Sequence, residues 1–359
     1  MKQLLPLILA CIITLFFTGC RGGQIPEPEP VGTVTVDGTT VRVTTIRSGT
    51  VETLITDAGV DMEPIETLEV SGLIDQRDFA FANGSQVKAV DFSGSKVTAY
   101  EDHPADGIPA KAFRENQNLL SFLYPEGITT IGAEAFYGAN FMSIGVTGDI
   151  IIPEGVVEIG NDAFIHNKSS GKLVLPSTLK TIGSAAFWGS HFTGRLVLPT
   201  GITTIGSSAF YFCQKLTGPL ELPATLTSIG EGAFRVTGIN GHITLPENLE
   251  IAAVGIFNSS KITSVTLNDK LRVIGDAAFY NTKLAGNVII PPGVESIGYA
   301  AFYDTEISAL YVKWPEPIEY QSDMLRPEAT VCVPEGAKAA YEAAEGWKKH
   351  TITEYTELP

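Results

Sequence analysis

The residues that most often carry metal or nucleophilic chemistry are few in this 359-residue sequence and lie far apart. The histidines are His103, His166, His191, His242 and His350. None has a second histidine four residues away or an H-E-x-x-H motif around it, the spacing that puts zinc ligands on one helix face. There is also no G-x-S-x-G nucleophile motif, no phosphate-binding glycine loop and no calcium-loop pattern. The sequence therefore predicts no catalytic residue, no metal site and no cofactor.

The cysteines point the same way. Cys11 and Cys20 lie in the N-terminal leader. Cys213 and Cys332 are far apart and show neither a metal-ligand spacing nor a close partner, so we expect no disulfide scaffold and no zinc cluster. Because no cation adjoins Cys213 in sequence, we do not expect a reactive thiolate there.

The charge of the chain excludes one class of partner. Forty Asp and Glu residues against 24 Lys and Arg give a formal net charge of -16. An acidic surface repels phosphate backbones, whereas nucleic-acid-binding proteins present clustered Lys and Arg. We therefore expect no nucleic-acid partner, and we expect the acidity to keep an exported protein soluble.

The first twenty residues have the pattern of an export signal. Lys2 is followed by an apolar run from Leu4 to Phe17 and then by Gly19 and Cys20. A charged start, a short apolar core and a small residue before the cut describe a secretory signal, and the run is shorter than the about 20 residues of a membrane span. The junction resembles a bacterial lipobox, in which Cys20 becomes the diacylated N-terminus, although Phe17 stands where lipoboxes usually have Leu. An ordinary cleaved signal peptide is the alternative.

One hexapeptide motif, Ile-Gly-x-x-Ala-Phe, recurs through the sequence. Its copies run over Ile131–Phe136, Ile159–Phe164, Ile182–Phe187, Ile205–Phe210, Ile229–Phe234, Ile274–Phe279 and Ile297–Phe302. Two looser copies are Ile108–Phe113 and Ala252–Phe257. Successive Phe residues are about 23 positions apart except between Phe136 and Phe164, so residues around Phe141 to Gly148 are predicted to form a protruding loop. Such a period indicates a repeat architecture instead of several globular domains.

Each repeat also carries an alternating apolar triplet that ends in proline. The triplets are Ile150–Ile152, Leu173–Leu175, Leu196–Leu198, Leu220–Leu222, Ile243–Leu245 and Val288–Ile290. Alternation predicts strands that proline ends, with the first and third side chains inward and the middle one outward. One coil buries too little apolar surface to offset the entropy of ordering its residues, so the coils must stack into a solenoid.

Small residues, most of them polar, follow each Phe at a distance of three positions. They are Asn116, Ala139, Asn167, Ser190, Cys213, Thr237, Ser260, Thr282 and Thr305. Stacked at one level, such side chains can satisfy backbone groups of the turn that would otherwise be buried without a partner. We expect a hydrogen-bonding ladder with Cys213 as one of its members.

The repeats resemble the BspA-type leucine-rich repeats of bacterial surface lipoproteins, whose units read Leu-x-Leu-Pro, Ile-Gly, Ala-Phe and then Cys or a small polar residue. The resemblance covers roughly Leu68 to Tyr341. It implies a leucine-rich-repeat-like solenoid of the α/β horseshoe type that is β-rich, with short strands and a single helical turn in each coil. It also implies N- and C-terminal caps, attachment to the cell surface, and adhesion to a host or to other microbes.

These features divide the chain into five predicted parts. They are a lipoprotein signal peptide (1–19), the lipidated Cys20 with a proline-rich spacer and N-terminal segment (20–47), an N-terminal cap (48–107), about nine repeat coils (108–312) and a C-terminal cap with an Ala-rich helix (313–359). The lipid anchor is predicted in the outer membrane, facing the cell surface. Relatives that reach the outer face often carry a dense acidic run directly after the lipidated cysteine. In this sequence the stretch directly after Cys20 has only Glu27 and Glu29 as acidic residues, so a periplasmic orientation stays open.

Two rows of side chains are candidate ligand-binding surfaces. The residues immediately after each Phe form the aromatic row, which consists of Arg114, Tyr137, Ile165, Trp188, Tyr211, Arg235, Asn258, Tyr280 and Tyr303. Its aromatic members offer large contact area at low entropy cost, so they are candidates for binding sugar rings or protein partners. The alternative is that these rings lie half-buried across adjacent coils and only support the turn.

The middle residues of the strand triplets and the equivalent residues of the other coils form the second row, the outward strand row. It consists of Leu123, Ile151, Val174, Val197, Glu221, Thr244, Thr266, Ile289 and Tyr311. Its apolar members Ile151, Val174 and Val197 are the candidate contacts. Contiguous exposed apolar area often marks an interaction site. β-Branched residues also simply suit a pleated surface, so a purely structural role is the alternative.

Taken together, the patterns predict a binding module and not an enzyme. The predicted function is that of an outer-membrane lipoprotein, monomeric, that binds host or microbial surface proteins, glycoproteins or polysaccharide. The alternatives are a glycan-capture lipoprotein of a nutrient-uptake system and a structural component of the envelope. Paired carboxylates could cleave glycosides, but a solenoid wall offers no pocket for them.

Overall fold

The computed structural model describes residues 32–139, 148–321 and 323–359. The predicted signal peptide, Cys20 and the proline-rich stretch lie outside the described residues, as does nearly all of the predicted loop around Phe141 to Gly148. Within the described ranges, no helix combines the length and the hydropathy needed to cross a bilayer.

Short strands form the body of the molecule. They are β1 Gly32–Asp37, β2 Thr40–Thr45, β3 Thr67–Ile74, β4 Ala89–Val97, β5 Gly107–Ile108, β6 Ser121–Leu123, β7 Thr130–Ile131, β8 Ile150–Ile151, β9 Glu158–Ile159, β10 Leu173–Val174, β11 Thr181–Ile182, β12 Thr204–Ile205, β13 Thr217–Gly218, β14 Ser228–Ile229, β15 Gly238–Thr244, β16 Ile251–Ala252, β17 Lys261–Thr266, β18 Val273–Ile274, β19 Ala285–Ile290, β20 Ser296–Ile297, β21 Glu306–Val312, β22 Thr330–Pro334 and β23 Thr351–Tyr355. The helices are α1 Val51–Asp57, α2 Gln76–Gly84 and α3 Lys338–Ala343, with a 3₁₀ turn at Trp347–Lys349. In the described chain, the helices all lie outside the predicted repeats.

The strands that carry the Ile of the Ile-Gly motif stack in parallel and in register. Ile131 pairs with Ile159, Ile159 with Ile182, and Ile182 with Ile205. Strands β14 and, in a second sheet, β16, β18 and β20 continue the same arrangement. Each coil of the chain therefore lies on the previous one, which confirms the predicted leucine-rich-repeat-like solenoid.

The Phe residues of the motif form one continuous file through the interior. Consecutive ring centroids are 5.2 to 6.1 Å apart and the planes lie within 4 to 14° of parallel, for Phe113, Phe136, Phe164, Phe187, Phe210, Phe234, Phe257, Phe279 and Phe302. All of them are fully buried. Phe136 and Phe164 are 5.2 Å apart, so the longer spacing between these two repeats leaves the file unbroken.

The segment that carries Ala-Phe differs in one detail from the predicted single helical turn. The N–H of Tyr137 donates to the carbonyl of Glu134 three residues earlier (3.1 Å), but the N–H groups of Glu134 and Phe136 donate to the next coil, to Asn161 and Ala163 (both 2.8 Å). Glu134 has φ +57°, which an α-helix cannot contain. The segment is therefore a run of overlapping turns whose alternate N–H groups bond across coils.

The glycine of the Ile-Gly motif is required by the close approach of neighbouring coils. A Cβ atom on Gly206 would lie 2.4 Å from the backbone nitrogen of Ser184 and 2.6 Å from the carbonyl carbon of Gly183. The same contact, at 2.4 to 2.6 Å from a backbone nitrogen of the preceding coil, recurs at Gly132, Gly160, Gly183, Gly230, Gly275 and Gly298. The spacing of the coils therefore fixes this residue type.

The inward and outward positions of the strand triplets are confirmed. Leu196 and Leu198 are buried, whereas Val197 between them is 64% exposed. Ile150 and Ile152 are likewise buried on either side of the exposed Ile151. Successive side chains of a triplet thus point alternately into the interior of the solenoid and out from its wall.

The predicted hydrogen-bonding ladder is present in most coils, although the buried hydroxyl of Ser260 has no partner among the described residues and Ala139 has no group to donate. The hydroxyl of Ser190 donates to the carbonyl of Phe164 (2.9 Å), and the thiol of Cys213 donates to the carbonyl of Phe187 (3.0 Å). Threonines at the same level donate to the carbonyl three residues earlier, at 2.7 to 2.9 Å, from Thr237, Thr282 and Thr305. Each bond satisfies a backbone carbonyl next to the Phe file.

Both ends of the described stack have extra elements. At the N-terminal end, β1 and β2 form an antiparallel pair and β2, β3, β4 and β6 continue in parallel, with α1 and α2 beside them. At the C-terminal end, β21, β22 and β23 extend the sheet, and Tyr341 of α3 and Trp347 are buried. The predicted Ala-rich helix is present as α3, and Gly346 follows it with φ +86°. The limits of the two caps, 48–107 and 313–359, stay predictions.

Candidate binding surfaces

The outward strand row places its apolar members on the outside of adjacent coils. Ile151 is 43% exposed, Val174 is 42% exposed and Val197 is 64% exposed. Ile151 and Val174 face each other across a parallel strand pair. Beyond Val197 the row becomes polar at Glu221, which forms an ion pair with Arg195 (2.6 Å). The apolar part of the row is thus a short strip at the N-terminal side of the wall.

The polar part of the same row is held by side-chain hydrogen bonds. Nδ1 of His242 lies 2.8 Å from the hydroxyl of Ser264. Nε2 of the same ring lies 3.2 Å from the hydroxyl of Thr244 and 3.1 Å from that of Thr266. This exposed network spans β15 and β17, so the two halves of the row offer different chemistry to a partner.

The central part of the aromatic row is a chain of ring contacts across four coils. The centroids of Trp188 and Tyr211 are 5.3 Å apart, with planes 48° from parallel. The guanidinium of Arg235 lies over the Tyr211 ring at 5.5 Å, and His166 approaches Trp188 at 6.3 Å. A guanidinium over an aromatic ring is attracted by the ring quadrupole, so these contacts hold the exposed side chains in place.

The outer parts of the row form separate pairs. Arg114 lies over the Tyr137 ring at 4.9 Å. Tyr280 and Tyr303 stack with centroids 6.5 Å apart and planes 8° from parallel. The three tyrosines are half-buried. Each pair joins two coils, as the alternative structural role requires, and still leaves part of each ring accessible.

Two members of the aromatic row interrupt it. Ile165 is only 5% exposed and Asn258 only 7% exposed, so both are buried where their neighbours in the row are accessible. Trp188, at 38%, is the ring of the row with substantial exposure. The row is therefore not one continuous platform, and ligand binding by its tyrosines stays a prediction.

Phe212 is a surface residue that the sequence patterns did not single out. Its ring is 50% exposed and lies 6.0 Å from the Tyr211 ring, with planes 67° apart. Its backbone has φ +64°, in the left-handed region that glycine favours. The equivalent position is left-handed in all nine coils, with glycine at Gly138 and Gly189 and other residues elsewhere. Phe212 is the only Phe, Tyr or Trp among them, which was the available signal. Trp188, Tyr211, Phe212 and Arg235 are termed the Trp188 patch below.

The Trp188 patch lies in a basic part of an acidic chain. Residues 161–240 contain six Lys and Arg against three Asp and Glu, a net charge of +3, whereas the whole chain carries -16. The six cations are all exposed. Among the described residues, only Arg195 of the six forms an ion pair, with Glu221. The remaining cations are available to an anionic partner.

The buried titratable groups near the Phe file have no reactive environment. Burial raises the pKa of the Cys213 thiol to about 12, so this residue is a neutral hydrogen-bond donor at physiological pH. In the described ranges, no three His, Cys, Asp or Glu side chains are grouped closely enough to hold a metal ion.

Stacked parallel coils that share one interior define the class of leucine-rich-repeat solenoids, which typically serve as binding scaffolds. The model of the BspA type leucine rich repeat region matches residues 61–138, 141–219 and 218–320, with six copies of the repeat. This chain belongs to that family. The resemblance seen in the sequence motifs is thereby confirmed.

Solved structures of bacterial leucine-rich-repeat proteins are similar to this one. A leucine-rich repeat protein from Bacteroides ovatus is 23% identical, with a TM-score of 0.52 over 72% of this chain and 67% of that chain. A leucine-rich repeat protein from Eubacterium ventriosum is 17% identical, with a TM-score of 0.43 over 86% and 77%. The pneumococcal vaccine antigen PcpA is 13% identical, with a TM-score of 0.40 over 97% and 99%. The first similarity supports the shared fold. A search of curated proteins gave no match.

Proposed function

We propose that this protein is a lipid-anchored outer-membrane protein whose repeats bind proteins or glycoproteins on the surface of a host or of other microbes. The observation that carries the proposal is the unbroken file of buried Phe rings. Because the interior is filled with side chains along the whole stack, recognition is left to the outer walls. A long, regular wall suits a macromolecular ligand better than a small substrate.

The apolar part of the outward strand row supports a protein partner. Ile151, Val174 and Val197 expose 42 to 64% of their surface on adjacent coils. Contiguous apolar side chains on a soluble surface mark interaction sites more often than isolated ones do. The polar half of the wall beyond Glu221 then serves as the matched control in a binding experiment.

Binding is tested with full-length protein on an array of purified matrix proteins and glycans. We expect capture of protein or glycoprotein ligands, and at least about tenfold weaker capture by the variant Val174→Asp/Val197→Asp. The control variant Thr244→Asp/Thr266→Asp adds the same charges to the polar half and should bind normally. Capture of bare polysaccharide without any protein ligand would contradict the proposal and favour the glycan-capture alternative.

The lipid anchor is tested separately. Cys20→Ser should abolish incorporation of radioactive palmitate and partitioning into the detergent phase, whereas Cys11→Ser should leave both unchanged, because a multiply acylated N-terminus carries the membrane affinity. Protease treatment of intact cells should remove the repeats from wild-type cells. Lipidation with full protection from protease would place the repeats on the periplasmic side and contradict the cell-surface part of the proposal.

A further inference from the structure

We propose that the Trp188 patch is the contact centre for an acidic protein segment, one that presents an apolar side chain flanked by Asp or Glu. The inference rests on the proposed protein-binding function and adds a second contact site, apart from the outward strand row, and the chemistry of its partner. Three independent features of the patch carry it: the exposed ring of Phe212, the orientation of the rings and the charge of these coils.

Phe212 exposes an apolar ring at a position where the fold does not need one. Half of the ring lies in contact with water. Its left-handed backbone, φ +64°, does not single it out, because the same position is left-handed in all nine coils and the N–H of Phe212 donates to the carbonyl of Arg235 in the next coil (3.0 Å). Among these nine positions, Phe212 is the only Phe, Tyr or Trp. A partner that covers the ring accounts for an exposed phenylalanine here.

The ring geometry favours a protein over a sugar chain. Stacking of sugar rings needs free, roughly coplanar aromatic faces. In the patch, the Tyr211 plane is tilted by 48° from Trp188 and by 67° from Phe212, and Arg235 covers the Tyr211 ring. A compact group of Trp, Tyr and Arg with uneven relief is the composition of protein-binding hot spots.

The net positive charge of the coils in this part of the chain favours an acidic partner. Arg235 belongs to the patch, and Lys168 and Lys215 follow the stacked Phe residues of their own coils by four and five positions. All three side chains are exposed, and none forms an ion pair within the described residues. Complementary charge steers association and rejects partners of the same sign. The acidic remainder of the chain repels such a partner, so these coils are where it is favoured.

The test uses random peptides displayed on phage and selected on full-length wild-type protein. Labelled copies of the selected peptides are then titrated by fluorescence anisotropy. We expect peptides of net negative charge with a central apolar residue, bound more weakly as salt concentration rises. Phe212→Gly and Arg235→Glu should each weaken binding at least about tenfold. Thermal unfolding should show Phe212→Gly to be no less stable than wild type, because glycine relieves the left-handed strain.

Two control variants separate the patch from general effects. Tyr299→Ala removes another ring, 53% exposed, from outside the patch. Lys270→Glu makes the same charge change as Arg235→Glu at an exposed site of another coil. Both should bind the selected peptides as wild type does.

The outcomes distinguish this inference from the proposed function. Selected peptides that are neutral or basic, or that bind Phe212→Gly and wild type equally, would reject the patch and leave protein binding by another part of the wall in place. A different result would reject both the patch as a protein contact and the proposed protein-binding function. In that result no peptide is selected, and wild-type protein binds polygalacturonate whereas Phe212→Gly does not, which would favour an acidic polysaccharide as the ligand.

Discussion

The rings of Phe187 and Phe210 lie 5.3 Å apart and 14° from parallel, although each belongs to a different coil. The thiol of Cys213 donates to the carbonyl of Phe187, so side chains of one coil stabilise both the ring and the backbone of its neighbour. Nearest-neighbour contacts of this kind make stability a property of adjacent pairs of coils. They also leave the outer face of each coil free for variation.

Removing one ring of the Phe file should destabilise the repeats strongly. Phe210 is fully buried between Phe187 and Phe234, so Phe210→Ala leaves a cavity and should lower the free energy of unfolding by about 3 to 5 kcal/mol. Urea unfolding followed by far-ultraviolet circular dichroism measures the change. Phe212→Ala, two residues away but half exposed, is the matched control and should change stability by about 0.5 kcal/mol or less. Equal losses in the two variants would contradict a continuous file.

The motif glycine should not accept a side chain without cost. Gly206→Ala brings a Cβ atom to 2.4 Å from the Ser184 nitrogen, so the coils must separate, and we expect a loss of about 1 to 3 kcal/mol. Ala253 fills the equivalent position of the degenerate coil, so the fold accommodates one methyl group there and complete unfolding is not expected. Gly84→Ala in α2 meets no atom within 4 Å and should leave stability unchanged or raise it. The same unfolding experiment compares the two.

The thiol of Cys213 should be unreactive in the folded protein. Burial raises its pKa to about 12, so iodoacetamide at pH 8 should modify Cys213 only after denaturation, as peptide mass mapping will show. A folded-state pKa above the ordinary value of about 8.5 means that the thiol favours folding below that pH and that this contribution is lost as pH rises toward 12.

Cys213→Ser is the matched variant for this behaviour. Ser190 makes the equivalent bond to Phe164, so the variant should fold, and its stability should fall less between pH 8 and pH 11 than that of wild type. Rapid alkylation of Cys213 in the native state would contradict the structural role of this residue.

The C-terminal end of the stack should loosen in acid. His350 is 7% exposed, its Nε2 lies 2.9 Å from the hydroxyl of Tyr320, and burial lowers its pKa, with Lys349 acting in the same direction and Glu328 against it. A folded-state pKa below about 6.5 means that His350 favours folding above that pH and that the contribution is lost as pH falls through the folded pKa. Hydrogen exchange of residues 346–355 should therefore accelerate between pH 7 and pH 5, after correction for intrinsic exchange rates.

His350→Gln is the control for that experiment. An amide can still bond the Tyr320 hydroxyl but does not titrate, so the acceleration should be smaller in the variant. Identical acceleration in both proteins would assign the effect to other groups at this end.

Much of the fold could be predicted from the spacing of residues. The period of the Phe residues predicts the file, the triplets predict which side chains point inward, and the polar residues three positions later predict the ladder that includes Cys213. These features recur in most coils, so the same physical requirement leaves the same residue type in the sequence several times. The turn at Glu134 could not be predicted, because its positive φ is imposed by hydrogen bonds to the next coil and not by a residue type such as glycine.

The candidate surfaces were less accessible to sequence reasoning. Ile165 and Asn258 occupy the same register as Trp188 and yet are buried, because exposure depends on the side chains of the adjacent coils. Phe212 was missed because it lies one position beyond the aromatic row. Trp188, Tyr211 and Arg235 belong to the predicted aromatic row, whereas Phe212 repeats in no other coil and so gives no periodic signal.

The central claim is that the chain is a stack of coils whose outer wall is its functional surface. Distances between equivalent positions of different coils test this claim most directly. Pairs of spin labels at Ile151 with Glu221 and at Ile151 with Tyr311 span three and seven coil steps in the outward strand row. With about 4.8 Å per strand step, the backbone separations should be roughly 14 and 34 Å. Measured distances that rise in this proportion support the stack. Similar distances for the two pairs would show a compact body and contradict it.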